Sequence, residues 1–228
     1  MKKDCLIEYK NVSLSYGQTE AVKHASFVVH EGDILNIIGP NGSGKTTLVK
    51  SLVGELKPSK GEIIKSCKRL GYVPQKLMIK RNFPLTVQEF IYTGFLKQDL
   101  FIKPKDAEII KAWIIRMKLD PKILTEPIHT LSGGQLQRAY IIRTLISKPD
   151  VLILDEPTSA LDPSFREQFY ELLKTIKEEL QMTIIHITHD LTDLVLENSL
   201  VMYIDQEIKF YGTYIDYHQF EHEGHHHG

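Results

Sequence analysis

An apolar run, Ile34-Leu35-Asn36-Ile37-Ile38, passes directly into Gly39-Pro40-Asn41-Gly42-Ser43-Gly44-Lys45-Thr46-Thr47 and then into a helical pattern carrying Leu48, Leu52, Val53 and Leu56. A strand that is apolar at nearly every position must be covered on both faces, as in a parallel sheet. The loop that follows spaces its glycines so that backbone N–H groups can wrap a polyphosphate without side chains in the way. The helix then begins at the phosphates, where its N-terminal dipole favours negative charge. In this spacing Lys45 reaches the β- and γ-phosphates and Thr46 offers its hydroxyl to Mg²⁺. The pattern says nucleotide, and leaves open which nucleotide enzyme.

Composition narrows the setting. The 228 residues suffice for one large domain with a substantial core. With 28 basic and 29 acidic residues the chain has no cationic excess to neutralise nucleic-acid phosphates. Two cysteines, Cys5 and Cys67, make no disulfide framework and read as reduced thiols. Asp4 and Glu8 interrupt any apolar run near Lys2, Lys3 and Cys5, which argues against a lipoprotein-type leader. Nothing approaches the roughly 18 uninterrupted apolar residues of a membrane span, so work at a membrane requires a partner that spans it.

Along the chain, alternation over Leu6–Leu14 and the segments 24–30 and 33–38, set around the Glu31-Gly32-Asp33 turn, predict antiparallel strands before the loop and the buried strand leading into it. Residues 84–147 change texture. Thr86 with Glu89 is a capping-box pattern opening a helix over Val87–Leu96, and Ala107–Leu119 predicts a second helix with Ile110, Ile114 and Met117 inward. Ser132 with Gln135 opens a third through Leu145. The sheet then resumes with Val151–Leu154. Asp162 and Pro163 cap a helix burying Phe165, Phe169, Leu172, Leu173, Ile176 and Leu180; Met182–Thr188 is a further strand and 200–211 a closing hairpin. From about residue 213 the periodicity is lost.

Five short elements narrow the class. Leu131-Ser132-Gly133-Gly134-Gln135 resembles the signature motif of the ATP-binding-cassette (ABC) superfamily, and Val151–Asp162 resembles its Walker B strand and D-loop. Tyr72-Val73-Pro74-Gln75 is similar to the Q-loop, His189 to the switch histidine, and Tyr16 to the adenine-stacking aromatic. They occur in the family's order, over about Leu6 to Gly212. The resemblance implies an α/β P-loop core (RecA-like, with a mostly parallel sheet), an antiparallel β subdomain and a helical subdomain at about 84–147. These form one ATPase domain over 1–212, with a tail at 213–228.

Each element has a physical reading beside that resemblance. Asp155 ends an apolar strand, so it emerges at the sheet edge where Mg²⁺–ATP would sit. Glu156, the next residue, is directed differently and is the candidate general base. His189 follows another buried strand and would face the same cleft, touching the γ-phosphate. Gln75 alone is a turn residue after Pro74; the resemblance makes it a sensor of γ-phosphate, Mg²⁺ or water. Tyr16 can stack on adenine or serve as a core aromatic at a strand end. The Ser132 helix start is a second anion-binding end in a chain with one phosphate loop. The resemblance resolves this as a homodimer, with Ser132, Gly133, Gly134 and Gln135 of one copy closing over the ATP of the other. It also implies an integral membrane permease, and a peripheral place on the cytoplasmic face of the cell membrane.

Arg81-Asn82-Phe83-Pro84-Leu85-Thr86-Val87, with Glu89 and Gly94, is similar to the ATPases of zinc and manganese uptake systems, which implies an extracytoplasmic metal-binding protein as an indirect partner. In the tail, His218, His222, His225, His226 and His227 stand among Glu221 and Glu223, a ligand set suited to Zn²⁺ or simply a polar terminus. Histidine-rich ligands favour zinc over manganese as the cargo. An exporter subunit is the nearest competing reading. A non-transport ABC ATPase would usually carry a coiled-coil insertion or a second cassette, and a P-loop kinase leaves the Ser132 helix start unexplained.

Overall fold

The computed structural model describes residues 3–77, 79, 84–158, 161, 163–189 and 199–224, excluding the side chains of residues 163, 164 and 221–224. Strands β1 (Cys5–Tyr16), β2 (Thr19–His30) and β4 (Lys60–Lys65) form an antiparallel sheet in the order β2-β1-β4. A six-stranded sheet contains β3 (Ile34–Ile38), β5 (Leu70–Val73), β6 (Val151–Asp155), β7 (Thr183–Ile187), β8 (Leu200–Asp205) and β9 (Glu207–Thr213), in the order β5-β6-β7-β3-β8-β9. All its neighbours are parallel except β9, which closes as a hairpin on β8.

Period-two alternation divides the buried strands between two cores. Leu35, Ile37, Ile153, Ile185 and Ile187 face the antiparallel sheet and α1 (Lys45–Leu52). Ile34, Leu152, Leu154 and Ile184 face a helical layer. That layer holds α2 (Val87–Tyr92), α3 (Pro104–Arg116), α4 (Gly133–Ile146) and α5 (Pro163–Leu180). Central strands buried on both sides are why β3, β6 and β7 are fully buried along their length.

The predicted helices form with shifted ends. α1 stops at Leu52, so Leu56 lies beyond it; Lys65 donates to the carbonyls of Ser51 (2.9 Å) and Leu52 (2.5 Å), closing the last turn with a cation. α2 stops at Tyr92 instead of reaching Leu96. A Cβ on Gly94 would lie 2.1 Å from the Arg143 carbonyl oxygen, and Arg143 bonds Thr93 Oγ1 at 2.7 Å, so this stretch is fixed against α4. α3 begins at Pro104, whose ring suits a first turn, and ends before Lys118, which adopts φ 52°. Both capping boxes form, at Thr86/Glu89 and at Ser132/Gln135. Asp162 lies outside the described residues, while α5 does start at Pro163.

Strands β4 and β5 escaped the sequence reading. β4 is an edge strand with little burial and β5 has four residues, so neither gives a strong apolar signal. The expectation of an irregular tail is corrected: α6 (Tyr214–Gly224) forms there, with Tyr217 buried against Tyr203 and Phe210 of the hairpin. Its aromatics Tyr214, Tyr217 and Phe220 recur every third residue, a helical spacing that the polar residues around them obscure.

One polar network is sealed inside the sheet. Asn36 and His186 are cross-strand neighbours on β3 and β7, and His186 Nδ1 lies 3.1 Å from Asn36 Oδ1. An amide oxygen only accepts, so Nδ1 carries the proton; Tyr170 OH, 3.4 Å away, then donates to Nε2. Asn36 Nδ2 donates to Ser199 Oγ at 2.9 Å. Burial pushes His186 down from 6.5 to about 4. The folded state therefore excludes a proton that the unfolded chain accepts below pH 6.5, and the stability from neutral His186 is complete above 6.5 and lost as pH falls to about 4. Urea unfolding at pH 7 and pH 5 should show a loss of about 2 kcal/mol from this group. The loss should be absent from the pH difference measured for His186→Gln, and equal acid sensitivity in the two proteins would contradict it.

Candidate active site

The C-terminal ends of β3, β5, β6 and β7 reach one edge of the sheet, and the chemistry-bearing residues collect there. β3 runs into the glycine loop. Gly44 caps α1 in a left-handed conformation (φ 106°) with no side-chain cap bond, which leaves the first N–H groups of the helix without a side-chain acceptor. A Cβ at Gly44 would meet the Ala21 carbonyl oxygen at 2.8 Å, and one at Gly39 would meet that of Ile204 at 2.1 Å. Glycine is required at both by space as well as by φ.

Beside this loop is a cavity of about 200 Å³, lined by Ala21, Asn41, Gly42, Gly44, Lys45, Thr46, Thr47, Gln75 and Glu156. Lys45 Nζ donates to the carbonyls of Gly39 (2.6 Å) and Pro40 (2.8 Å), so the ammonium is folded back across its own loop. Among the described residues Ser43 Oγ is buried without a hydrogen-bond partner, an atom that an incoming oxygen ligand could satisfy. Burial lowers the pKa of Lys45, with Glu156 and Asp155 opposing the fall. Burial likewise raises that of Asp155, Glu156 adds to the rise, and the Tyr72 hydrogen bond and Lys45 oppose it. A buried ammonium and a buried carboxyl, each driven toward its neutral form, suit a ligand that brings anionic oxygens to one and a cation to the other.

Asp155 and Glu156 sit in different surroundings, set by a turn at the strand end rather than by strand alternation. Asp155 is buried at the end of β6 and accepts from Tyr72 OH at 3.4 Å, a partner the sequence reading missed. Glu156 follows with φ 47°, outside the usual range for a residue with a side chain, and its N–H donates to the Ile187 carbonyl at 2.9 Å. This turn brings its carboxylate to the cavity wall. Gln75 Nε2 donates to Glu156 Oε2, and His189 Nδ1 lies 3.0 Å from Glu156 Oε1. Three residues taken separately from the sequence, Gln75, Glu156 and His189, thus form one hydrogen-bonded cluster.

Tyr16 is 46% exposed at the end of β1, which removes the core-aromatic reading, and Lys50 Nζ on α1 stands 5.4 Å from its ring centroid. Ala21, which also lines the cavity, carried no signal in the sequence; it lies on β2, which begins at Thr19, ahead of the strand expected at 24–30. Ser132, Gly133, Gly134 and Gln135 open α4 and do not line the cavity. Ser132 is exposed; its Oγ accepts from Gln135 N–H at 3.3 Å, and Gln135 Oε1 accepts from Ser132 N–H at 2.9 Å. In the tail, His218 lies on α6 with its ring edge-on to Tyr214 at 4.6 Å. The His222 side chain and His225, His226 and His227 lie outside the described residues, as do Arg81, Asn82 and Phe83. Among the described residues no helix is long and apolar enough to cross a membrane.

Comparison with known proteins identifies the family. Residues 22–159 match the family model described as ABC transporter. A probable metal transport system ATP-binding protein of Thermotoga maritima is 36% identical over 207 residues, covering 91% of this chain and 84% of its own. The zinc import ATP-binding protein ZnuC of Rickettsia bellii is 37% identical over 214 residues, covering 93% and 88%. Among solved structures, a dimeric ATP-binding cassette in a post-hydrolysis state with ADP and phosphate superposes with a TM-score of 0.80 at 26% identity, covering 91% of this chain and 98% of that one. The chain belongs to the ABC transporter family and is one of its ATPase cassettes.

Proposed function

We propose that this chain hydrolyses ATP to drive uptake of a divalent metal ion, zinc, through a separate membrane permease. The observation that carries the catalytic part is Glu156, placed on the wall of the phosphate-loop cavity with Gln75 and His189 on its two oxygens. A carboxylate there can take the proton of a water attacking the γ-phosphate, while His189 and Gln75 hold it in place. Lys45, released from the carbonyls of Gly39 and Pro40, would turn to the phosphates; Asn41, Gly42, Ser43, Gly44 and Thr47 would surround them, and Tyr16 would stack on the adenine. Thr46, Gln75 and Asp155 would hold Mg²⁺, which neutralises phosphate charge when bound.

The remaining partners follow from the family and from the relatives' printed roles. Two copies would face each other, each presenting Ser132, Gly133, Gly134 and Gln135 to the nucleotide of the other. The permease supplies the membrane spans and holds the ATPase against the cytoplasmic face, and an extracytoplasmic protein delivers the metal. Zinc as the cargo is supported by the zinc-import relative and by the histidines of the tail, His218, His222, His225, His226 and His227, which we assign as a Zn²⁺-binding segment.

Glu156→Gln should retain ATP binding, lose at least about a hundredfold in turnover, and accumulate as an ATP-bound dimer in sedimentation. A monomer at saturating ATP would count against the paired arrangement. Lys45→Ala should weaken ATP affinity by about tenfold to a hundredfold, read by fluorescent-nucleotide titration. The tail is best tested without deletion, because Tyr217 and its neighbours pack on the β8–β9 hairpin. Replacing its five histidines by glutamine should abolish Zn²⁺ uptake in equilibrium dialysis and leave basal ATPase activity intact; unchanged uptake would reduce the tail to a polar terminus.

A further inference from the structure

Cys5 and Cys67 are the only cysteines in the chain, and both are free and half-buried. They meet at one end of a single ladder. Strands β1 and β4 pair antiparallel, with Tyr9 opposite Ile63 and Ile7 opposite Lys65. One step further the Ser66 N–H donates to the Leu6 carbonyl at 2.9 Å, so the two segments stay together just past the end of β4. The next step of the same register sets Cys5 across from Cys67. Antiparallel pairs alternate between hydrogen-bonded and non-hydrogen-bonded kinds, and the bond at Leu6 and Ser66 makes the cysteine pair the second kind. In such pairs the Cα atoms approach to about 4.5 Å, and a disulfide spans Cα separations of roughly 4.4–6.8 Å.

Both side chains belong to one face of the ladder. Alternation puts Cys5 with Ile7 and Tyr9 on β1, and Cys67 with Ile63 and Lys65 on the facing segment. Ile63 and Cys67 pack against the core that buries Ile7 and Tyr9. The Cys5 thiol leans along its own strand toward the Ile7 carbonyl, 3.8 Å away, and Ile7 is the residue opposite Lys65. Lys65 and Cys67 are near enough for each to act on the other's charge. Rotation about χ1 of Cys5 turns its sulfur across the ladder. A small solute can reach the pair, because a groove of about 500 Å³ at the sheet end away from the nucleotide cavity has Asp4, Ser66, Cys67 and Asp150 in its wall.

We propose that Cys5 and Cys67 form a modification site, a dithiol that a hydroperoxide closes into a disulfide and a small thiol reopens. Burial, with the Asp150 carboxylate, raises the pKa of Cys67 and keeps it a thiol, so Cys5 is the sulfur that takes the oxygen. Ionised Cys5 attacks one peroxide oxygen and the O–O bond breaks. Its electrons leave on the other oxygen, which takes the proton that Cys5 gave up. The Cys67 sulfur then attacks the sulfenic acid, the S–S bond forms, and hydroxide departs with the Cys67 proton as water. The two sulfurs lose two electrons and the hydroperoxide gains them. Reopening consumes two small thiols, which leave as their own disulfide. Reversible closure of this kind is the form that disulfides take in reducing compartments. The bond would strap the start of β1 to the segment that enters β5.

The purified full chain treated with hydrogen peroxide should lose both titratable thiols and the mass of two hydrogens. Proteolysis should then release a peptide pair joined through Cys5 and Cys67, and dithiothreitol should restore both thiols. The rate per chain should hold over about a tenfold dilution, as closure within one molecule requires. Cys67→Ser should instead hold Cys5 as a sulfenic acid, captured as its dimedone adduct. In Cys5→Ser the Cys67 thiol should disappear about tenfold more slowly than in the parent. ATP turnover of both variants in reductant should equal that of the parent, which also confirms folding. Peroxide that leaves both thiols intact would overturn the inference. So would a bond between two copies of the chain, or oxidation of each cysteine separately with no loss of two hydrogens.

Discussion

Side chains on β3, β6 and β7 have neighbours on both sides of the sheet, so a polar group on these strands must find an internal partner or wait for the strand to end. Asn36 and His186 take the first course, bonding each other and then Ser199 and Tyr170. Asp155 takes the second, as the last residue of β6. The same burial that makes the sheet cohere therefore sorts its few polar residues into a sealed network and a reactive edge. The glycine loop extends that edge, because β3 stops where Gly39 must pass close to the Ile204 carbonyl on β8.

At that edge the electrostatics are unbalanced within the free chain. Lys45 and Asp155 are both driven toward neutrality by loss of solvent, and each is only partly compensated by the other's charge. Lys45 spends two of its three donors on its own loop's carbonyls, and Ser43 Oγ has no partner among the described residues. A polyphosphate with its counter-cation supplies the missing groups of both signs together, which is a physical reason for nucleotide and metal to bind as a unit. Glu156 is engaged differently. Both its oxygens already have partners, so a water molecule must enter a cluster that is organised before any ligand arrives.

The sheet order was not legible in the sequence, although its central strands were. Ile34–Ile38, Val151–Leu154 and Met182–Thr188 announce themselves by continuous apolarity, which only a doubly covered strand needs. β4 and β5 do not, since an exposed edge strand and a four-residue strand carry too little pattern. Helix starts were legible where a side chain makes the cap, at Thr86 and Ser132, because the capping residues are themselves the interaction. Helix ends set by distant contacts were not: α2 ends where Gly94 meets the Arg143 carbonyl, a packing relation between residues far apart in sequence. In the site, Gln75, Glu156 and His189 were each found singly. Their meeting depends on the left-handed turn at Glu156, and a glutamate, unlike glycine or asparagine, gives no signal of such a turn.

The Ser132 helix start raises an apparent conflict, since its hydroxyl is already used as a cap. A hydroxyl has one proton and two lone pairs, and the Gln135 N–H occupies only one lone pair. Its proton is still available for an anionic oxygen. Accepting that role would strengthen the cap, because donation makes the same oxygen a better acceptor. Gln135 Oε1 takes the Ser132 N–H, so the cap is closed from both sides and the helix start is rigid. Ser132 and Gly133 are meanwhile exposed. In the proposed dimer, a second copy would meet an anion-binding end that is already formed. Closure over the nucleotide would then cost little local ordering at α4, and the binding free energy would go into holding the two copies together.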